Sequence, residues 1–329
     1  MISKNNRSNI FYFSVTILLT YGMVLLSVAV PIVSVVLWVL LPLPTTLYAA
    51  RYGAKKGVLG ALTIGAVSAL GAFYGFMPHL AIWAGATGLC LSVLLEKKVP
   101  TIRVVITMAT LYFILFVSTI VYYNWVYQAD IIQNLIDTVQ HFLNMAALLL
   151  NELLATGAQD GAEQMRLLET VLKELPKVIG ENLSSYLIII SMVFGYLYYG
   201  IAKKLVRYSG VSVTHLKPFY HFRIQKRALL FVVLVWIFQG IGSEYIAEVI
   251  MNNIIQVIMF LVAISGLAVM DWQLKKVGVI AILRVLIGIG VFILSAFVPL
   301  IDFWQILIIV GVLDAFLNFR KIRRGGYMA

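Results

Sequence analysis

The sequence predicts an all-α protein, a polytopic transmembrane helix bundle of about ten spans (eight to ten) with an external helical hairpin. Three observations predict it. Of 329 residues, 62% are hydrophobic and 12% charged, whereas soluble globular chains run at roughly 45–50% apolar and about 25% charged. The apolar residues gather into stretches of about 20, enough to cross about 30 Å of hydrocarbon. The bases fall almost entirely at alternate ends of those stretches. A soluble enzyme and a disordered regulator are excluded by composition, and a disulfide-stapled secreted domain by Cys90 being the only cysteine.

Taken in order, the spans are read at 10–30, 31–50, 57–77, 79–95, 103–125, 183–202, 228–247, 249–270, 277–298 and 301–319. With the N-terminus inside, every Lys and Arg lies at an inner end except Arg166, Lys173 and Lys177. That asymmetry places both termini in the cytoplasm. The net charge of +11 is therefore an orientation signal and calls for no nucleic-acid partner. It also favours anionic lipids at the cytoplasmic face.

The first span follows Lys4 and Arg7. Ser27-Val28-Ala29 resembles a signal-peptidase site, but the span is long for a signal core and runs into more apolar sequence, so it is read as a retained anchor. Residues 10–50 are uncharged, and the division near Pro31 rests on length. In the second span, Pro42 and Pro44 within Leu41-Pro42-Leu43-Pro44-Thr45-Thr46 remove backbone donors and predict a kinked helix. Freed carbonyls and amides there suit a binding role, although prolines near a span's end also simply stop it. The third and fourth spans hold Gly57, Gly65, Gly71, Gly75, Gly85 and Gly88, with Ala61, Ala81 and Ala84 at four-residue spacings. Such spacing lets helix backbones approach closely in lipid. His79, in the short turn between these spans, has no Cys, His or acid at metal-ligand spacing and is read as interfacial.

Residues 126–182 hold eight of the fourteen acids: Asp130, Asp137, Glu152, Asp160, Glu163, Glu169, Glu174 and Glu181. Ile132, Leu135, Val139, Phe142, Ala146, Leu149 and Leu153 recur at helical spacing, as do Met165, Leu168, Leu172 and Leu175 after Thr156-Gly157. Asp160 and Glu163 form a capping-box pattern for the second helix. This stretch is the external hairpin, either a lid over the bundle or a pair lying on the headgroups. The chain accordingly divides into N-terminal membrane helices (1–125), the extracytoplasmic hairpin (126–182) and C-terminal membrane helices (183–329).

The inner loop after the sixth span has seven bases and no acid: Lys203, Lys204, Arg207, Lys217, Arg223, Lys226 and Arg227. It is read as a lipid-facing basic segment, with docking of a cytoplasmic partner as the alternative. Glu244 and Glu248 stand one turn apart at the outer end of the seventh span, near Asn252, Asn253 and Gln256. Arg284 lies about 12 Å up the ninth span from Lys276, and Asp314 about 9 Å up the tenth from Arg320. Charge inside a bilayer is a functional candidate by default, so Arg284, Asp314, Glu244 and Glu248 form the candidate polar membrane site. The antiparallel turn near Pro299 predicts that Arg284 and Asp314 pair.

No phosphate-binding loop, His-Glu-x-x-His, Cys-x-x-Cys or Gly-x-Ser-x-Gly pattern occurs. The chain is therefore expected to be no enzyme and to hold no metal or cofactor.

Two stretches resemble the YybS-like family of bacterial integral membrane proteins of unknown function. One is Leu41-Pro42-Leu43-Pro44 running into Tyr52-Gly53-Ala54-Lys55-Lys56-Gly57. The other is Gly311-Val312-Leu313-Asp314-Ala315-Phe316-Leu317-Asn318-Phe319-Arg320-Lys321, with its Asp followed by an aromatic-Arg-Lys exit from the last helix. That resemblance implies a bacterial plasma-membrane location and no established site. Residues 41–90 are also distantly similar to the substrate-binding S subunits of energy-coupling-factor vitamin transporters, which implies capture of a small solute with ATP hydrolysed by separate subunits. Together these readings give solute transport or substrate binding without an ATPase of its own, possible partner subunits included. The alternative is a non-transporting membrane scaffold acting through the hairpin and the basic loop.

Overall fold

Proline, glycine and left-handed residues mark where this chain stops being helical. The computed structural model describes residues 3–71, 78–154, 161–208, 218–241, 245–297 and 303–320. Among the described residues every long element is an α-helix: α1 (Ser3–Ala29), α2 (Pro31–Leu40), α3 (Leu43–Tyr52), α4 (Ala54–Gly71), α5 (Pro78–Glu96), α6 (Thr101–Tyr127), α7 (Ile131–Leu154), α8 (Gly161–Tyr208), α9 (Lys226–Ile241), α10 (Tyr245–Lys276), α11 (Ala281–Phe297) and α12 (Phe303–Leu317), with a 3-10 turn at Phe219–His221.

Pro31 cannot donate, so Val30 turns out of the helix at φ −130° and α2 begins afresh. Gly53 at φ +90° separates α3 from α4, a conformation open to glycine but not to most side chains. Two other helices close alike. The amide of Val99 donates to Leu94 O at 3.0 Å, and that of Val279 to Leu274 O at 3.0 Å. In both, the bond spans six residues around a left-handed one, Lys98 at φ +50° and Gly278 at φ +89°.

Among the described residues, five helices have a stretch long and apolar enough to cross a membrane, at Asn9–Ser27, His79–Glu96, Thr101–Tyr127, Pro176–Arg207 and Glu248–Lys276, with shorter apolar helices at Ala281–Val291 and Phe303–Leu317. The protein is thus a helical membrane bundle. The expected second hairpin helix is not a separate element. Residues 161–175 continue through Pro176 into the next span as one helix of 48 residues, about 72 Å at 1.5 Å per residue. Asp160 and Thr156-Gly157 lie outside the described residues.

The chain forms two compact units, one of Met1–Trp125 with Ile190–Leu216 and one of Val126–Ile189 with Lys217–Ala329. Within the first, helices meet at small residues. A β-carbon on Gly57 would lie 2.5 Å from Ala49 Cβ, one on Gly85 3.1 Å from Ala61 Cα, and one on Gly88 2.6 Å from Pro42 O. Gly195 of α8 meets Ala109 N of α6 equally closely, at 2.6 Å. Gly65 is roomier, 3.7 Å from Ile82. Gly71 ends α4, and Gly75 lies outside the described residues.

Within the second unit, α10 and α12 touch backbone to backbone. A β-carbon on Gly266 would collide with Leu307 O, and one on Gly311 with Val262 O. Phe260 and Trp304 stack 6.0 Å apart at one end of this contact. Lys275 and Arg320 both reach Tyr220 at the other, so the two helices run in the same direction.

Candidate functional site

The helix break at Pro42 exposes backbone that other helices then satisfy. An unbroken helix would bond residue 42 to Trp38 O and residue 44 to Leu40 O, and proline donates neither. The hydroxyl of Tyr112, itself 1% exposed, lies 3.4 Å from Trp38 O and 3.5 Å from Val39 O. One turn further on, Thr46 Oγ1 lies 3.0 Å from Pro42 O and 3.2 Å from Gly88 O, and touches the Tyr198 hydroxyl. Thr46 has one proton, so it donates to a carbonyl and accepts from Tyr198. The hydroxyl of Thr45 is buried without a partner.

Beside the break runs a narrow crevice of about 10 Å³, lined by Trp38, Pro42, Trp83, Thr87 and Tyr112 with leucines and an alanine, and by no charged residue. Trp83 is fixed by its indole N–H, which donates to Ser118 Oγ at 3.1 Å. As it stands it has room for about one water, so a solute would have to part its aromatic walls, which carry a few hydroxyls and no ionic group.

The charged candidates are engaged elsewhere. Asp314 is fully buried and 2.6 Å from the Arg320 guanidinium, which donates also to Tyr220 O at 2.6 Å and Phe222 O at 2.9 Å. Arg223 Nε lies 3.7 Å from the same carboxylate, and Arg223 donates to Ala315 O at 2.9 Å. The loop Pro218–Gln225 is thereby strapped across α10 and α12. Arg284 pairs with Asp271 at 3.1 Å. The expected Arg284–Asp314 pairing is thus not the one formed, because each has a nearer partner. Asp271 and Arg284 stand seven and six residues either side of Gly278 (278 − 271 and 284 − 278), so the turn itself brings them opposite. Glu248 is exposed, and Glu244 lies outside the described residues.

The basic loop divides in the same way. Lys204, Arg207 and Arg227 are exposed. Lys203 is 8% exposed and lies over the Tyr199 ring, Lys226 lies over Phe316, and Arg223 points inward. The lipid-facing reading fails for Lys203 and Arg223, whose charges are taken up by ring and carboxylate. Lys217 lies outside the described residues.

A further polar cluster joins α8 to α10. The Asn253 amide accepts from Ser185 N at 2.7 Å and donates to Glu181 O at 2.6 Å, standing between the two partners of one helical bond. Gln256 accepts from Ser185 Oγ and donates to Asn182 Oδ1, both at 2.6 Å. The sequence reading singled out neither Asp271 nor Asn182, Ser185 and Tyr112. Asp271 was findable from the symmetry of the Gly278 turn. The others fall within ordinary span sequence.

A family model described as "Predicted membrane protein (DUF2232)" matches residues 18–315. "Uncharacterized protein YybS" of Bacillus subtilis (strain 168) is 25% identical over 257 residues, covering 77% of this chain and 80% of that protein. No solved structure matches the chain.

Proposed function

We propose, for a chain that belongs to the DUF2232 family of predicted membrane proteins, the binding and passage of a small uncharged solute, without an ATPase of its own. The single observation that supports this reading is the proline-broken helix α2–α3 beside a crevice walled by Trp38, Trp83 and Tyr112 and free of charge. Irregular backbone is tolerated at membrane depth only where protein or a cavity satisfies it, and transporters use such breaks at their binding sites. Arg284 and Asp314 fit a fastening role better than a solute-contact role, since each is engaged with a neighbouring ion. The reading implies a plasma-membrane location with both termini on the basic, cytoplasmic side, and energy drawn from an ion gradient or from partner subunits.

The test is native purification of the full chain, followed by mass spectrometry of small molecules released on denaturation. A solute retained by the wild type and lost from Trp83→Leu supports the proposal. Absence of any solute in both, with unchanged intrinsic fluorescence across a library of neutral metabolites, overturns it.

One observation favours a scaffold as the second reading. The amphipathic helix α7 leaves Leu135, Met145 and Leu148 exposed at 48%, 47% and 65%, apolar surface fit for a partner or for the headgroup plane. Recovery of a stoichiometric protein partner that is lost on Leu148→Lys would favour it.

A further inference from the structure

The corner between α3 and α4 gathers three cations that no described carboxylate neutralises. Arg51 ends α3, Lys55 and Lys56 open α4, and the Gly53 turn folds them to one place. The guanidinium carbon of Arg51 lies 4.3 Å above the Tyr12 ring centre and 5.7 Å from that of Tyr52, while Lys56 Nζ lies 5.4 Å from Tyr52. All three cations are exposed, and among the described residues no carboxylate pairs with them. None is close in sequence either, since Glu96 is the first acid of the chain.

Arg51 stands favourably in the last turn of α3, at a negative helix end, but the two lysines do not. A helix N-terminus carries about half a positive charge, yet the first turn of α4 has two lysines and no acid. The Tyr52 hydroxyl beneath is buried without a partner. Two lysines at a positive helix end, a neighbouring guanidinium and an unpaired hydroxyl call for an anion that no described residue supplies. The tyrosines Tyr12, Tyr48 and Tyr52, with ring centres 5.1–6.0 Å apart between neighbours, form the aromatic shelf characteristic of the headgroup level.

We infer that Arg51, Lys55 and Lys56 bind the phosphate of an anionic phospholipid at the membrane surface, with Tyr12 and Tyr52 holding the guanidinium in place. Arg51 presents its fork to the phosphate oxygens, and the lysines add point charges. The basic loop after α8 is a weaker candidate, because Arg223 is committed to Asp314 and Lys203 is buried.

The experiment measures thermal stability of the detergent-purified full chain titrated separately with phosphatidylglycerol, phosphatidylcholine and inorganic phosphate. The expected result is stabilisation by phosphatidylglycerol alone, weakened about five-fold in apparent affinity for each of Arg51→Gln, Lys55→Gln and Lys56→Gln. Tyr12→Leu, which leaves net charge unchanged, weakens it as well. A Lys204→Gln/Arg207→Gln variant, which removes exposed bases elsewhere, keeps the full response. Equal stabilisation by inorganic phosphate would reassign the site to a free anion and overturn the lipid assignment. Equal stabilisation by phosphatidylcholine, or an undiminished response in the corner variants, would overturn the site altogether. Should a glutamine variant fail to fold, Arg51→Lys keeps the charge and is expected to lose affinity through loss of the fork.

Discussion

Arg320 folds back from beyond the end of α12 to meet Asp314, six residues earlier, at 2.6 Å. Both side chains are essentially sealed, 1% and 0% exposed, and removing one partner strands the other in a low dielectric. Asp314→Asn and Arg320→Gln are each expected to cost about 3–5 kcal/mol, read by chemical denaturation in micelles. A double-mutant cycle on Asp314 and Arg320 should return strong coupling, and one on Asp314 and Arg284 close to none.

The Asp271–Arg284 pair closes the α10–α11 turn at 18% and 14% side-chain exposure respectively. Water and headgroups screen it in part, so its coupling belongs between those of exposed and buried pairs, about 1–2 kcal/mol. Raising the ionic strength should shrink this coupling while leaving the Asp314–Arg320 coupling nearly unchanged.

Glycine substitutions should split by sign. Gly311→Ala and Gly266→Ala drive a methyl into a backbone carbonyl and are expected to lose at least about 3 kcal/mol, or to prevent folding. Gly290→Ala on α11 meets nothing within 4 Å, and should gain about 0.5–1 kcal/mol from helix propensity. Unfolding midpoints of the three variants check this.

Tyr112→Phe removes the hydroxyl near Trp38 O and Val39 O and should cost about 1 kcal/mol. In a Pro42→Ala background an alanine N–H is available to Trp38 O. Tyr112→Phe should then cost measurably less, and an equal cost in both backgrounds would mean that the hydroxyl does not serve the break.

Much of the architecture was readable from residue order because hydrophobic length and special backbone residues act locally. Pro42 predicts an interruption through a missing donor and stands at one, and the division set near Pro31 by span length falls where α2 begins. Side-chain partnership is harder to read. The depth argument placed Arg284 and Asp314 near the same level, yet depth fixes neither the face of a helix nor competition from a nearer ion. Asp271 won Arg284 through the turn, and Arg320 won Asp314 by folding back along its own segment. Asn253 was noted as a polar residue at the outer mouth, but only the structure puts its amide between Glu181 and Ser185 of a helix some 70 positions away in sequence. The contacts of Gly195, Gly266 and Gly311 are not read from sequence, because none of the three has a second glycine four residues away.

The strap between Arg223 and Asp314 also sets a timetable for the newborn chain. The two residues are 91 positions apart (314 − 223), which at about 5–20 residues per second separates their synthesis by roughly 5–20 s. Until Arg320 is made, the Tyr220 and Phe222 carbonyls lack the guanidinium from which they accept in the finished fold. Completion of the closing helix and of Arg320 is therefore the step that lets this earlier loop take its final contacts.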